Sequence, residues 1–123
     1  MENAHSYASI TGDDNPIHFD TKYARDSRFG GAIAHGMILG GFISGVIGTE
    51  LPGFGCLYEK QSLKFLRPVY YGDEICTVVT VQEIFDTKNR VILKTECFNQ
   101  EGVVVLTGEA TVLPQRSENN EDF

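Results

Sequence analysis

The sequence predicts an α+β fold in which a curved antiparallel sheet wraps one long buried helix. Three observations lead there. The chain has 123 residues, 41% of them apolar and 22% charged, enough for one globular core and not for two. Residues 30–48, GGAIAHGMILGGFISGVIG, are almost uncharged. After them come four strand-length runs rich in Val, Ile, Thr, Phe and Tyr, joined by connections short enough for antiparallel neighbours.

Taken in order, residues 4–12 are expected to form a short helix stopped by Gly12, since glycine favours the position just past a helix end. Residues 12–18, GDDNPIH, are a turn, because Gly, Asp, Asn and Pro together break any regular element. Residues 20–28, with Asp20, Lys22, Arg25, Asp26 and Arg28, predict a second short, exposed helix. One helix is expected from Ile33 to Gly48. A bilayer span needs about 20 predominantly apolar residues, and this run is diluted by glycines, His35 and Ser44. A helix apolar all round belongs inside a fold. Glycine costs about 1 kcal/mol against alanine in a helix interior. Gly36, Gly40, Gly41, Gly45 and Gly48 therefore need a packing reason, read as a small-residue stripe that another backbone approaches. LPGFG at 51–55 ends the helix. Strands are expected at 56–66, 73–85, 90–99 and 103–113. Arg67-Pro68 and Tyr71-Gly72-Asp73 separate the first two, and Asn99-Gln100-Glu101-Gly102 is a hairpin turn. Residues 1–114 thus form a single domain, and 115–123 are expected to be a disordered polar, acidic tail.

The net charge of −7, with 10 basic against 17 acidic residues, argues against a nucleic-acid partner or an anionic membrane. A local basic patch for an anionic ligand stays open. Cys56, Cys76 and Cys97 are about twenty residues apart without CxxC or CxxH spacing. They read as reduced, buried thiols, with no metal. The start, Met-Glu-Asn-Ala-His-Ser, has neither a basic nor an apolar leader segment, so the expected compartment is the cytoplasm.

The chemistry concentrates in residues 7–24, YASITGDDNPIHFDTKYA. Asp13 and His18 are five apart with Asn15-Pro16 between them. Proline fixes its own φ and biases its predecessor away from helix. The resulting stiff loop can aim a carboxylate and an imidazole at one point, the parts needed to add or remove water by acid–base catalysis. By spacing alone, an Asp and a His in a turn are more often a surface pair than a catalytic one.

The segment resembles the signature of the MaoC-like, (R)-specific enoyl-CoA hydratase family: aromatic, spacer, aliphatic, small, then G-D-x-N-P-aliphatic-H, five residues and Ala. Tyr7, Ile10, Thr11, Gly12, Asp13, Asn15, Pro16, Ile17, His18 and Ala24 fill every slot. Arg28-Phe29-Gly30-Gly31 leading to Ala34-His35-Gly36-Met37 resembles the family's entry into its central helix. Leu51-Pro52-Gly53-Phe54-Gly55, Phe65 to Asp73 and Gly108-Glu109-Ala110 are similar to its later elements, so the likeness covers about residues 7–114.

That resemblance implies a hot-dog fold and the interconversion of trans-2-enoyl and (3R)-3-hydroxyacyl thioesters in fatty-acid metabolism. It implies Asp13 and His18 as the catalytic pair holding the water, one taking its proton and the other supplying C2. It makes the Gly36 N–H the oxyanion donor at a helix N-terminus. Ser44 aligns with a serine near the pair and is given a supporting role. Asn15 is read as loop support and His35 as a structural histidine bonded to backbone. No cofactor is expected beyond coenzyme A or acyl-carrier protein as the thioester carrier. Lys60, Lys64, Arg67, Lys88 and Arg90 are the basic residues of the strand half that could meet the carrier's phosphates, with ordinary solvated surface charge the expected role of most of them. The family implies a homodimer. It usually has a strand ahead of the first short helix, and only six residues precede Tyr7. The sheet is therefore expected without that first strand, with four strands per subunit. A mitochondrial location is the alternative if an N-terminal segment is missing.

Two other functions compete. Hot-dog thioesterases usually carry a carboxylate on the central helix, and residues 33–49 contain no Asp or Glu. A non-catalytic acyl-thioester binding module has no need of both Asp13 and His18.

Overall fold

The computed structural model describes residues 2–115; most of the expected tail, 116–123, lies outside the described residues. The first helix, α1, spans Glu2–Thr11, two residues earlier than expected at its start. Gly12 ends it at φ 81°, a left-handed conformation that glycine adopts without a Cβ clash. A single 3-10 turn, Pro16–His18, follows in the loop. The second helix, α2, is shorter than expected, Lys22–Asp26. The Thr21 hydroxyl caps its start by accepting from the Ala24 N–H at 3.1 Å, and the Ser27 hydroxyl closes its end on the Ala24 carbonyl at 2.6 Å.

The long helix, α3, runs Gly36–Thr49 with His35 at its N-cap. The expected start at Ile33 is three residues too early. Ile33 pairs with Tyr70 in an isolated antiparallel bridge, and the Ala34 N–H donates to the Val69 carbonyl at 2.7 Å. Those bonds hold the backbone extended until His35. At the other end, a cis Leu51–Pro52 peptide and Gly53 at φ 93° turn the chain back.

Four strands follow: β1 (Leu57–Phe65), β2 (Cys76–Phe85), β3 (Arg90–Phe98) and β4 (Val104–Leu113). They form one sheet in the order β1-β4-β3-β2, every pair antiparallel. β2 starts at Cys76 rather than 73 because the preceding residues are held in a turn. The Glu74 N–H donates to Gln100 Oε1 at 3.0 Å, and Asp73 Oδ2 accepts from the Tyr70 N–H at 2.9 Å. The β3–β4 hairpin lies where expected, with the Gly102 N–H closing on the Asn99 carbonyl at 3.0 Å.

The core lies between the sheet and one stripe of α3. Leu39, Ile43 and Ile47, spaced by four, pack on Val91, Leu93 and Cys97 of β3 and on Val105, Leu106, Ala110 and Val112 of β4. Thr95 is the buried polar residue of that face, and its hydroxyl accepts from Gln61 Nε2 at 3.0 Å. The rest of α3 departs from expectation. Met37 and Phe42 are exposed, as are Gly41, Ser44 and Gly45, so within one chain the sheet covers one side of the helix rather than most of it.

The glycine stripe divides likewise. A Cβ on Gly36 would meet the Phe65 ring at 2.9 Å and one on Gly40 would meet Leu63 Cδ1 at 3.3 Å, while Gly41, Gly45 and Gly48 face nothing within 4 Å among the described residues. The close neighbours are β1 side chains, not another backbone. The thiols are all free: Cys97 is buried, Cys56 half-buried and Cys76 exposed. Burial pushes the Cys97 thiol up. Cys76 departs from the expected burial because it opens the sheet's edge strand. Among the described residues no helix is long and apolar enough to cross a membrane.

Candidate functional site

The loop between α1 and α2 is built by side chains bonding to backbone. The Thr11 hydroxyl accepts from the Asp13 N–H at 3.2 Å and donates to the Tyr7 carbonyl at 2.8 Å. Asp13 Oδ1 accepts from the Asn15 N–H at 3.4 Å, and Asn15 Oδ1 accepts from the Ile17 N–H at 3.1 Å. This is how Asp and Asn hold tight turns, and Pro16 supplies the fixed φ of the 3-10 turn. The Ile33 N–H then donates to the Ile17 carbonyl at 3.0 Å, stapling the loop to the segment that feeds α3.

Two long-range bonds complete the frame. His18 Nδ1 lies 2.9 Å from the Ile33 carbonyl oxygen. A carbonyl only accepts, so Nδ1 carries a hydrogen, and in the neutral ring Nε2 presents a lone pair. The Tyr71 hydroxyl donates to the His18 carbonyl at 2.6 Å. Burial pushes the Tyr71 phenol up, so it stays a protonated donor through the neutral range.

A carboxylate oxygen of Asp13 and one ring nitrogen each from His18 and His35 lie within 4.8 Å of one another. Such a donor set raises the possibility of a metal, and its ring geometry argues against one. The two imidazoles are stacked, centroids 3.8 Å apart and planes at 29°. In-plane lone pairs of stacked rings run side by side and do not converge on an ion about 2 Å from each nitrogen. The arrangement suits proton traffic instead.

His18 and Gly36 share the wall of a cavity of about 360 Å³, with Ile33, Leu39 and Phe65 as its apolar side and Arg28 and Arg67 also lining it. Gly36 opens α3, where backbone N–H groups lack intrahelical acceptors and the helix dipole presents its positive end. The His35 side chain makes no capping bond there. One cavity wall therefore carries an imidazole lone pair and a helix N-terminus, with an exposed carboxylate close by.

The sequence-predicted residues fall into three groups. Asp13, His18 and Gly36 come together, and Asn15 braces their loop. Ser44 lies exposed two turns along α3 and does not line the cavity. Of the basic residues considered for phosphates, Arg67 alone reaches the cavity, whereas Arg90 is tied to Glu59 at 3.0 Å and Lys88 sits over the Phe85 ring. Arg28 was missed: in sequence it reads as one more charge on an exposed helix, and its neighbour Phe29, over whose ring its guanidinium lies at 4.9 Å, was the available signal.

Comparison with known proteins gives the family and the fold. The (R)-specific enoyl-CoA hydratase of Rhodospirillum rubrum is 46% identical over 107 residues, covering 87% of this chain and 74% of the relative. The mitochondrial 3-hydroxyacyl-[acyl-carrier-protein] dehydratase of Arabidopsis thaliana is 40% identical over 115 residues, 91% and 68% of the two chains. The solved structure of the R-hydratase PhaJ1 of Pseudomonas aeruginosa superposes with a TM-score of 0.89 at 41% identity, covering 94% of this chain and 74% of that one. The helix on a four-stranded antiparallel sheet is thus the expected hot-dog fold. The profile described as MaoC like domain matches residues 1–100, the span that contains the Asp13–His18 loop, the head of α3 and the cavity between them, and the chain belongs to that family.

Proposed function

We propose that the chain is a hydro-lyase adding water to trans-2-enoyl thioesters to give (3R)-3-hydroxyacyl thioesters, and running the reverse dehydration. The observation that carries this reading is the approach of an Asp13 carboxylate oxygen and a His18 ring nitrogen to within 4.8 Å. Two groups each about 2.8 Å from one oxygen can share a single water at that separation. His18 Nε2 takes one proton of the water as its oxygen bonds to C3, while Asp13 accepts a hydrogen bond from the other O–H, which stays on the new hydroxyl, and so orients the attacking lone pair. The C2–C3 π electrons move onto the thioester oxygen, and the N–H at the start of α3 receives that charge. The proton on His18 then passes to C2, so one water is consumed and both groups return to their starting state.

The step needs no cofactor beyond the thioester carrier, coenzyme A or acyl-carrier protein. Both are anionic, and in a chain of net charge −7 Arg28 and Arg67 are the cations placed at the cavity. A homodimer fits the exposed Met37 and Phe42 on the uncovered side of α3. The thioesterase reading is disfavoured because α3, GMILGGFISGVIGT, carries no carboxylate.

The test is loss of the enoyl absorbance of crotonyl-CoA on adding the protein, with the C3 configuration read by a stereospecific dehydrogenase. The (3R)-hydroxy product is expected. Release of free thiol, or no turnover on both the CoA and the carrier-protein thioester, overturns the reading. In the same assay Arg67→Glu is expected to raise KM about fivefold with kcat unchanged, the scale of one exposed charge pair worth ~1 kcal/mol.

A further inference from the structure

We infer that His35 is a positioning residue, a buried imidazole that fixes the Asp13 backbone, the His18 ring and the head of α3 relative to one another. This rests on the reading above, in which Asp13 and His18 act on water beside the Gly36 N–H.

His35 is 2% exposed and occupies the N-cap of α3, where a polar side chain ordinarily turns onto its own helix. It makes no such bond. Its ring reaches back 22 residues, placing Nε2 2.9 Å from the Asp13 carbonyl oxygen. That carbonyl can only accept, so Nε2 carries a hydrogen, and in the neutral ring Nδ1 is then a bare lone pair. Among the described residues Nδ1 is buried without a hydrogen-bond partner. A buried unsatisfied atom is a cost, and stability alone gives no reason to keep it.

The flat face of the ring gives one. His18 stacks on it at 3.8 Å, Tyr7 packs on it at 4.5 Å and 44°, and Phe19 meets it edge-on at 6.2 Å and 81°. The Ile33 carbonyl sets which nitrogen of His18 bears the hydrogen, but one bond leaves the ring free to rock about it. The stacked His35 face confines its plane and so aims Nε2. A longer polar chain could reach Asp13, but only a flat ring does both. Because Gly36 is the next residue, the same side chain sets the distance from the acid–base pair to the oxyanion N–H. No ionised form of His35 is required, and the groups packed on it are the Asp13 backbone and the rings of Tyr7, His18 and Phe19.

The experiment compares His35→Leu, His35→Asn and His35→Gln in the whole chain by crotonyl-CoA hydration kinetics, thermal melting and long-range ¹⁵N spectra of the imidazoles. A glutamine carboxamide reaches the Nε2 position and can donate to Asp13, asparagine is one bond too short, and leucine has no donor. Leu and Asn are expected to lower kcat about 10- to 100-fold, the scale of a small misplacement of reacting groups, with KM within about threefold. Gln should recover several-fold of that kcat while still lacking the ring. The wild-type spectrum should show the hydrogen on Nδ1 of His18 and on Nε2 of His35.

Wild-type kcat in all three variants overturns the proposal, as does Gln no better than Asn at matched stability, or a wild-type His35 protonated on Nδ1. If the variants fail to fold, the wild-type spectrum decides. Asp13→Asn and His18→Gln, run alongside, separate the two ideas. If they stay active, the water-activation reading falls; if they are dead while the His35 variants are normal, only the role of His35 falls.

Discussion

Asp13→Asn and His18→Gln are each expected to lower kcat for hydration at least about 10²-fold, the scale of a lost acid–base group, while the chain stays folded. Asparagine keeps the shape of aspartate and its turn-forming oxygen but accepts from water far more weakly. The structure puts little stability at stake there, because Asp13 is exposed and, among the described residues, its side chain makes one long local bond, 3.4 Å to the Asn15 N–H. Glutamine at 18 cannot carry a proton, and it gives up the bond from Nδ1 to the Ile33 carbonyl. One such bond is worth about 1 kcal/mol net against a total of roughly 5–15 kcal/mol for a domain of this kind. The double variant is the sharper test. Two residues that hold the same water act as a unit, so removing the second after the first should cost little more. Kinetics on crotonyl-CoA with a melt of each variant decides it. Near-normal activity in both single variants would mean that the pair is a surface ornament and that the chemistry sits elsewhere.

The turn that carries this pair was legible because the bonds that shape it are local, although the bonds and the stacked ring that fix the His18 imidazole come from Ile33, Tyr71 and His35. Thr11, Asp13, Asn15 and Pro16 form their bonds within a few positions of one another, and short-range turn chemistry is written in the residue types themselves. The strands were legible to within about three residues for the same reason, since β-branched runs bounded by Gly, Pro and Asn mark their own ends.

What could not be read depends on contacts between distant segments. The head of α3 was placed too early because Ile33 and Ala34 have helical neighbours in sequence and extended partners in space, Tyr70 and Val69. The apolar run 33–48 promised a helix buried on most sides, yet one sheet buries only Leu39, Ile43 and Ile47. Hydropathy reports that a surface wants covering, not that the same chain covers it. His35 was half legible. Its bond to backbone was expected, but the carbonyl it meets, 22 residues back, and the His18 ring stacked on it required the fold. Arg28 and Arg67 come to one cavity from either side of α3, and no local pattern announces that.

Gly108→Ala is expected to be the most damaging single methyl in the sheet. Gly108 sits in β4 between Leu63 of β1 and Thr95 of β3. A Cβ there would overlap the Ser62 carbonyl and press on the Gln61 carboxamide at 3.3 Å. The carboxamide could swing away, but it donates to the Ser62 carbonyl at 2.8 Å and to buried Thr95 at 3.0 Å, so moving it breaks both bonds. The carbonyl belongs to a strand backbone and cannot move alone. β1 would have to lift from β4, and overpacking of this kind costs roughly 1–3 kcal/mol, a fall in Tm of about 5–15 °C for a chain of this size. The damage should reach the site. β1 ends in Phe65, paired with Leu106, and the Phe65 ring lines the cavity and lies where a Cβ on Gly36 would meet it at 2.9 Å. Lifting β1 moves that wall, so kcat/KM should fall together with Tm. Gly48→Ala is the matched control. Among the described residues it has nothing within 4 Å of the new methyl, and it lies inside a helix, where alanine is favoured by about 1 kcal/mol, so its melt should hold or rise. If Gly108→Ala melts with the wild type, β1 does not need that close approach, and the glycine in β4 has no structural reason in this sheet.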